Sequence, residues 1–72
     1  MKDQYLVKEF ASLTQTTVRT LHHYDQVGLL RPSGRRPNGY RVYTQADLLR
    51  LEQIIALRFL GLSLREVKRI LE

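Results

Sequence analysis

The spacing of apolar residues at the start of the 72-residue chain predicts two short helices. The first is expected over residues 7–13, where apolar side chains recur at i, i+3 and i+4. A turn-forming Thr-Gln-Thr-Thr stretch follows, and a second helix is expected from about residue 16 to residue 27. Gly28 is placed to end that helix in a left-handed conformation. Residues 6–28 therefore form a predicted helix-turn-helix.

Two further helices are predicted over residues 44–71. Thr44 and Asp47 have the spacing of a capping box, and a broad apolar face follows them as far as about Leu60. Ser63 and Glu66 repeat the capping-box spacing and open the last helix. The third helix, with its broad apolar face, is expected to be the main core element.

The intervening residues 29–43 are predicted to form a β-hairpin rather than a helix. Pro32 and Pro37 exclude a helix, the Asn-Gly pair at residues 38–39 favours a tight turn, and Tyr-Arg-Val-Tyr alternates as a strand does. We expect one strand near residues 29–31 and the return strand over residues 40–43. The predicted fold is mainly α, with four helices and one small hairpin in a single domain of residues 1–72.

Composition excludes several classes of protein. The chain is 43% hydrophobic and 26% charged, as in globular domains, and it contains no cysteine for disulfides or thiolate metal sites. No apolar run approaches the roughly 20 residues of a membrane span, and no basic-then-apolar leader is present. A cytoplasmic protein without a cofactor or a metal is expected.

The positive charge is concentrated in the predicted hairpin. The chain carries a net charge of +5, and residues 31–43 hold four arginines without an acidic residue. A concentrated basic stripe fits a polyanion better than a diffusely basic surface does. A solvated loop that is basic for solubility remains the alternative explanation.

Polar residues form a continuous stripe along the second helix. Arg19, His22, His23 and Gln26 fall on the face opposite Leu21, and all four can donate hydrogen bonds. Arginine, histidine and glutamine can contact base edges in a major groove. A polar stripe is often only a solvated face, but the adjoining arginine hairpin favours nucleic-acid binding here.

The two histidines do not suggest metal binding or catalysis. Neighbouring residues on a helix cannot comfortably hold one metal ion, and no nucleophile or paired carboxylates accompany them. We expect one histidine to pack against the hairpin and the other to be exposed. Asp25 is interpreted as either a surface acid or a local ion-pair partner.

Two residues outside the polar stripe, Tyr24 and Arg58, are further candidates for contact with a nucleic acid. Tyr24 can pack its ring inward and direct its hydroxyl to a phosphate. Tyr40 and Tyr43 are expected to pack within the hairpin. Arg58 lies before the Gly-Leu-Ser-Leu turn and could contact a phosphate there. Its alternative is an ion pair with Glu52 or Glu66.

Four sequence blocks resemble the DNA-binding domain of the MerR family of bacterial transcriptional regulators, in the right order and spacing. They are Leu-His-His-Tyr-Asp, Gly-Leu-Leu-x-Pro, Asn-Gly-Tyr-Arg-x-Tyr and Leu-Arg-Phe-Leu-Gly-x-Ser-Leu. The resemblance covers residues 5–71, and "RTLHHYDQVGLL" is especially similar to the TipA-like, drug-responsive branch.

The resemblance implies a winged helix-turn-helix that binds double-stranded promoter DNA. The second helix would be the recognition helix, the hairpin the first wing, and the last two helices a second wing-like element. Arg19 and His22 would face bases, Tyr24 the backbone, and the wing the phosphates. The DNA-binding residues expected on this basis are Thr17, Arg19, His22, Tyr24, Arg35, Arg36, Tyr40, Arg41 and Arg58.

Members of this family act as dimers that distort promoter DNA and thereby affect RNA polymerase. The chain lacks the long dimerisation helix and the effector domain of such proteins, so we expect a homodimer from a full-length protein and a monomer from this chain. A protein-interaction module on the third and fourth helices remains an alternative. A short excisionase-like architectural DNA binder is another, whereas an enzyme is not expected.

Overall fold

The computed structural model describes residues 3–72 as four helices and a three-stranded antiparallel sheet. In chain order the elements are β1 (Gln4–Leu6), α1 (Val7–Thr14), α2 (Val18–Gln26), β2 (Gly34–Arg35), β3 (Arg41–Thr44), α3 (Gln45–Phe59) and α4 (Leu64–Leu71). The mainly α fold is confirmed, and each predicted helix is present with ends that differ by one or two residues. No helix in this part of the chain is both long and apolar enough to cross a membrane.

The sheet corrects the predicted hairpin in two ways. Its strand order is β1-β3-β2, with Tyr5 opposite Tyr43 and Arg35 opposite Arg41, so an unpredicted N-terminal strand covers the outer edge of β3. The strand expected at residues 29–31 is wrong, because β2 begins at Gly34. Leu29 and Leu30 instead donate their amide N–H groups to the carbonyl of Tyr24, and both side chains are buried.

The hydrophobic core lies where α1, α2 and α3 meet the inner face of β3. The ring of Tyr43 stacks on Phe10, with centroids 4.5 Å apart and planes 7° apart. Leu51 and Ile54 from α3 and Val67 from α4 complete the centre, and all are fully buried. The apolar face predicted for α3 is therefore confirmed at Leu51 and Ile54, while Ile55 is exposed.

The hydroxyl of Tyr43 is an unusual feature of this core. It has no hydrogen-bond partner among the residues that the structure describes. Burial raises the pKa of Tyr43 above its ordinary value, and the neighbouring Arg41 partly offsets that effect. A buried hydroxyl without a partner costs free energy.

Asp47 links the start of α3 to the base of the wing. One carboxylate oxygen accepts the amide N–H of Thr44 at 2.9 Å, as the capping-box spacing predicts, and the amide N–H of Ser33 at 3.1 Å. Asp47 is also buried. The same side chain therefore caps a helix and holds the chain that enters β2.

The turn between α1 and α2 contains a strained residue. Gln15 has φ 57° in the left-handed region, the sole non-glycine residue to do so in residues 3–72. The amides of Gln15 and Thr16 donate to the carbonyls of Ser12 and Ala11, which closes the end of α1. Glycine is the residue that adopts this conformation at least cost.

Candidate nucleic-acid interface

Local hydrogen bonds define both ends of α2. The hydroxyl of Thr17 accepts the amide N–H of Thr20 at 3.0 Å, which satisfies one of the free donors of the first turn. At the other end Gly28 has φ 74°. The amide N–H of Gly28 donates to the backbone carbonyl of Asp25, and the amide N–H of Leu29 donates to the backbone carbonyl of Tyr24. These two bonds form a Schellman motif. Thr17, predicted as a DNA contact, is thus the N-cap of the helix.

The outward stripe of α2 has the predicted orientation. Arg19, His23 and Gln26 are exposed and His22 is half-buried, whereas Leu21 on the opposite face is completely buried. Tyr24 is half-buried against the core. Helix α2 therefore packs through a narrow apolar edge and leaves its hydrogen-bonding side chains accessible.

The turn at the end of the wing exposes an arginine and an aromatic ring. The amide of Arg36 donates to the carbonyl of Tyr40, and the amide of Gly39 donates to the carbonyl of Arg36. The side chain of Asn38 accepts the amide of Tyr40 at 3.1 Å, and Gly39 has φ 86°. Tyr40 is 61% exposed, so the hairpin-packing role applies to Tyr43 and not to Tyr40.

A buried carboxylate joins the wing to α2. One oxygen of Asp25 accepts Nε of Arg41 at 2.9 Å and Nη2 of Arg35 at 3.2 Å. Nη1 of Arg41 also lies 3.2 Å from Nε2 of His22. His22 is therefore the histidine that packs against the hairpin and His23 is the exposed one, as expected, and Asp25 is an ion-pair partner rather than a surface acid.

His22, Tyr40 and Arg41 face a common concavity. They line a cavity of about 420 Å³ together with Leu6 of β1 and Val7 of α1. The structure thus brings together residues of the recognition-helix candidate and the wing that are separated by about twenty positions in the chain. Arg58 lies at the end of α3 and does not line this cavity.

The last turn of α3 carries the remaining predicted site residue, Arg58. Nη1 of Arg58 donates to the carbonyl of Leu62 at 2.9 Å, and neither Glu52 nor Glu66 pairs with it among the described residues. Glu66 accepts the amide of Ser63 at 2.9 Å instead, and this hydrogen bond, followed by the one with the Ser63 hydroxyl, lowers the pKa of Glu66.

The arginines of α2 and the wing differ in whether an acidic side chain already pairs with them. Arg35 and Arg41 share Asp25, whereas Arg19 and Arg36 are exposed and have no acidic partner within residues 3–72. Exposed arginines beside a stripe of hydrogen-bond donors suit phosphate contacts that flank contacts to base edges. Over the described part of the chain, no three histidine, cysteine or acidic side chains are arranged to hold a metal ion.

Comparison with known proteins gives a consistent result. Residues 5–72 match the family described as MerR HTH family regulatory protein. The chain is 52% identical over 68 residues to the HTH-type transcriptional activator TipA of Streptomyces coelicolor, a match that covers 94% of this chain and 27% of TipA. The chain likewise spans 27% of the HTH-type transcriptional activator mta of Bacillus subtilis.

Solved structures show the same fold. The N-terminus of the Bacillus subtilis multidrug transporter activator, MtaN, superposes with a TM-score of 0.92 at 46% identity, over 94% of this chain and 64% of that one. HiNmlR is a MerR family regulator lacking the sensor domain, and its structure was solved bound to promoter DNA. It superposes with a TM-score of 0.86 at 34% identity, over 93% of this chain and 53% of that one.

Proposed function

This chain belongs to the MerR family of helix-turn-helix regulatory proteins, and we propose that it binds double-stranded DNA as the DNA-reading domain of a transcriptional regulator. In this proposal α2 enters the major groove and the wing contacts phosphates beside it. The observation that carries the proposal is the exposed donor stripe of α2 joined directly to a basic wing.

Each predicted site residue has a proposed role. Arg19 and His22 contact base edges, because they lie on the outward stripe of α2. Arg36 and Tyr40 contact the sugar-phosphate backbone from the end of the wing, where both are exposed. The other proposed backbone contacts are those of Thr17 and Tyr24 from α2, Arg35 and Arg41 from the wing strands, and Arg58 from the second wing-like element.

The full-length regulator is proposed to have properties that this chain alone does not have. We propose that residues 1–72 form one DNA-binding domain of a longer, dimeric protein of the bacterial cytoplasm and nucleoid, and that this chain alone is monomeric. The dimer would distort promoter DNA and so act on RNA polymerase indirectly. Two linked reading domains would gain about 10²–10⁴ in affinity over one.

Selection from a pool of randomised duplexes tests sequence-specific binding. The unmodified chain should enrich a defined motif, whereas Arg19→Ala should enrich a motif that is degenerate at one or two positions, because a side chain that contacts bases has been removed. Arg69→Ala, at an exposed position on α4, is the matched control and should select the original motif. Failure of the unmodified chain to enrich any sequence would contradict the proposal.

A protein-interaction surface is the second candidate function. Phe59 is 90% exposed and Leu60 72% exposed at the end of α3, and Ile70 on α4 is 55% exposed. Large apolar side chains grouped on a surface are typical of contacts with another protein segment. Such binding should depend only weakly on salt, whereas DNA binding should weaken steeply as salt increases.

A further inference from the structure

We infer that Asp25 is a positioning residue for DNA binding: it holds both wing strands against α2 and, through Arg41, fixes which nitrogen of His22 carries the proton. The inference rests on the proposed function, because it concerns how the DNA-contacting side chains are oriented. Asp25 itself is 8% exposed. It therefore acts through the arginines rather than by touching DNA.

The two arginines reach Asp25 from opposite strands of the wing. Arg35 lies on β2 and Arg41 on β3, and the two residues are directly opposite each other in the ladder. A single carboxylate oxygen accepts from both. Because a buried carboxylate is costly unless it is paired and hydrogen-bonded, separation of the wing from α2 would leave Asp25 unsatisfied.

Pairing with Asp25 leaves most of the arginine donors available. A guanidinium group has five N–H donors in a fixed planar fork. Arg41 directs one donor to Asp25 and one to His22, while Arg35 directs one to Asp25. Their side chains remain 27% and 49% exposed, respectively. Each arginine is thus held at one edge and can contact a phosphate with another.

The contact with Arg41 also determines the hydrogen-bonding character of His22. Arginine has no acceptor, so a hydrogen bond between Nη1 of Arg41 and Nε2 of His22 requires Nε2 to be the unprotonated nitrogen. The proton of the neutral ring then resides on Nδ1. The other ring nitrogen of His22 is then a donor, which suits a phosphate oxygen or the O6 and N7 acceptors of guanine.

An opposite role for Asp25 gives an opposite prediction. If Asp25 were only a nearby negative charge, its neutralisation would increase the attraction to phosphates and tighten binding. If Asp25 positions the wing, its neutralisation leaves the side chains of two arginines free to move. Each of them must then be ordered on binding, which should lower the affinity by about 2- to 10-fold. The sign of the change in affinity therefore separates the two roles.

The experiment compares Asp25→Asn with Glu52→Gln in titrations against a fixed duplex at low salt. Both substitutions remove one negative charge, and Glu52 is exposed on α3 and is not one of the proposed DNA-contacting residues. Asp25→Asn should weaken binding at least about 5-fold, whereas Glu52→Gln should leave it unchanged or slightly tighter. Asp25→Glu retains the carboxylate and should recover part of the loss.

The protonation of His22 provides a measurement on the unmodified protein without DNA. Nitrogen-detected NMR of the histidine rings should show Nδ1 of His22 protonated and Nε2 unprotonated in the neutral form. A neutral His22 with its proton on Nε2 would overturn the proposed link through Arg41. This measurement decides that part of the inference even if Asp25→Asn does not fold, which its thermal melting curve will show.

The possible results separate this inference from the proposed function. If the unmodified chain binds no duplex at low salt, both are overturned. If it binds and folded Asp25→Asn binds as tightly or more tightly, the positioning role alone is overturned. Weaker binding by folded Asp25→Asn, with Glu52→Gln unaffected, supports it.

Discussion

The partnerless hydroxyl of Tyr43 predicts that removal of one atom will stabilise the protein. Tyr43→Phe retains the ring that stacks on Phe10 and deletes a buried oxygen that has no hydrogen-bond partner within residues 3–72. A buried unsatisfied polar group costs about 1–3 kcal/mol. The small void left behind costs about 0.5 kcal/mol, at about 24 cal/mol per Å³.

The net expectation is an increase of about 1 kcal/mol in the free energy of unfolding, or roughly 4–8 °C in Tm for a domain of this size. Urea and thermal unfolding followed by circular dichroism at pH 7 measure it directly. A destabilisation by Tyr43→Phe would refute the reasoning, since it would mean that the hydroxyl contributes favourably in the folded state.

The same variant carries a pH signature. Burial raises the pKa of Tyr43 in the folded protein, so as the pH rises above about 10 the unfolded chain loses this proton first. The free energy that protonation of Tyr43 contributes to stability is fully present below the pKa of this residue in the unfolded chain. It is lost as the pH rises through the pKa in the folded protein. The stability advantage of Tyr43→Phe should therefore grow above pH 10. An advantage that stays constant from pH 8 to 11 would contradict this cause.

Three further predictions concern the helix ends. Thr17→Ala should lower the free energy of unfolding by about 1 kcal/mol, because it removes the N-cap of α2. Ser12→Ala, at an exposed position on α1, is the comparison in urea unfolding and should change stability little. Gln15→Gly should relieve left-handed strain and raise stability by about 0.5 kcal/mol, whereas a loss would show that the strain is absent. Ser63→Ala should raise the pKa of Glu66 part of the way to its ordinary value in an NMR titration, because the hydrogen bond from the amide of residue 63 to the Glu66 carboxylate remains. An unchanged pKa would contradict the role of the hydroxyl.

The helices were predictable because local chemistry determines them. The caps at Asp47 and Ser63 and the left-handed end at Gly28 are short-range features, and each has its structural counterpart. The first wing strand was not predictable in the same way. Two consecutive leucines fit a strand or a core segment equally well, and the choice depends on the closing bonds to Tyr24.

Strand β1 shows a second limit of sequence reasoning. Its three residues are too few to show the alternation of apolar and polar positions that indicates a strand. They pair with β3 nearly forty positions later in the chain. The pairing partner of so short a segment is decided by tertiary packing. No signal in the first six residues indicates that pairing.

The site was predictable in outline but not in its internal pairing. The stripe of α2 follows from helical period, and the concentration of arginines follows from the sequence. The sequence does not reveal which arginines pair with an acidic residue, because Asp25 lies ten and sixteen residues from Arg35 and Arg41. The available signal was an aspartate on α2, beside a basic hairpin that contains no acidic residue.

If α2 and the wing bind DNA through phosphate contacts, the affinity of this chain for a duplex should depend steeply on salt. We would titrate the unmodified chain, Arg36→Gln and Arg69→Gln against one duplex at several salt concentrations. The logarithm of the affinity should fall linearly with the logarithm of salt, and Arg36→Gln should reduce that slope by about 0.9, the share of one phosphate contact. Arg69→Gln should leave the slope unchanged. Affinity that is insensitive to salt, or equal slopes for the unmodified chain and Arg36→Gln, would show that the wing does not contact phosphates.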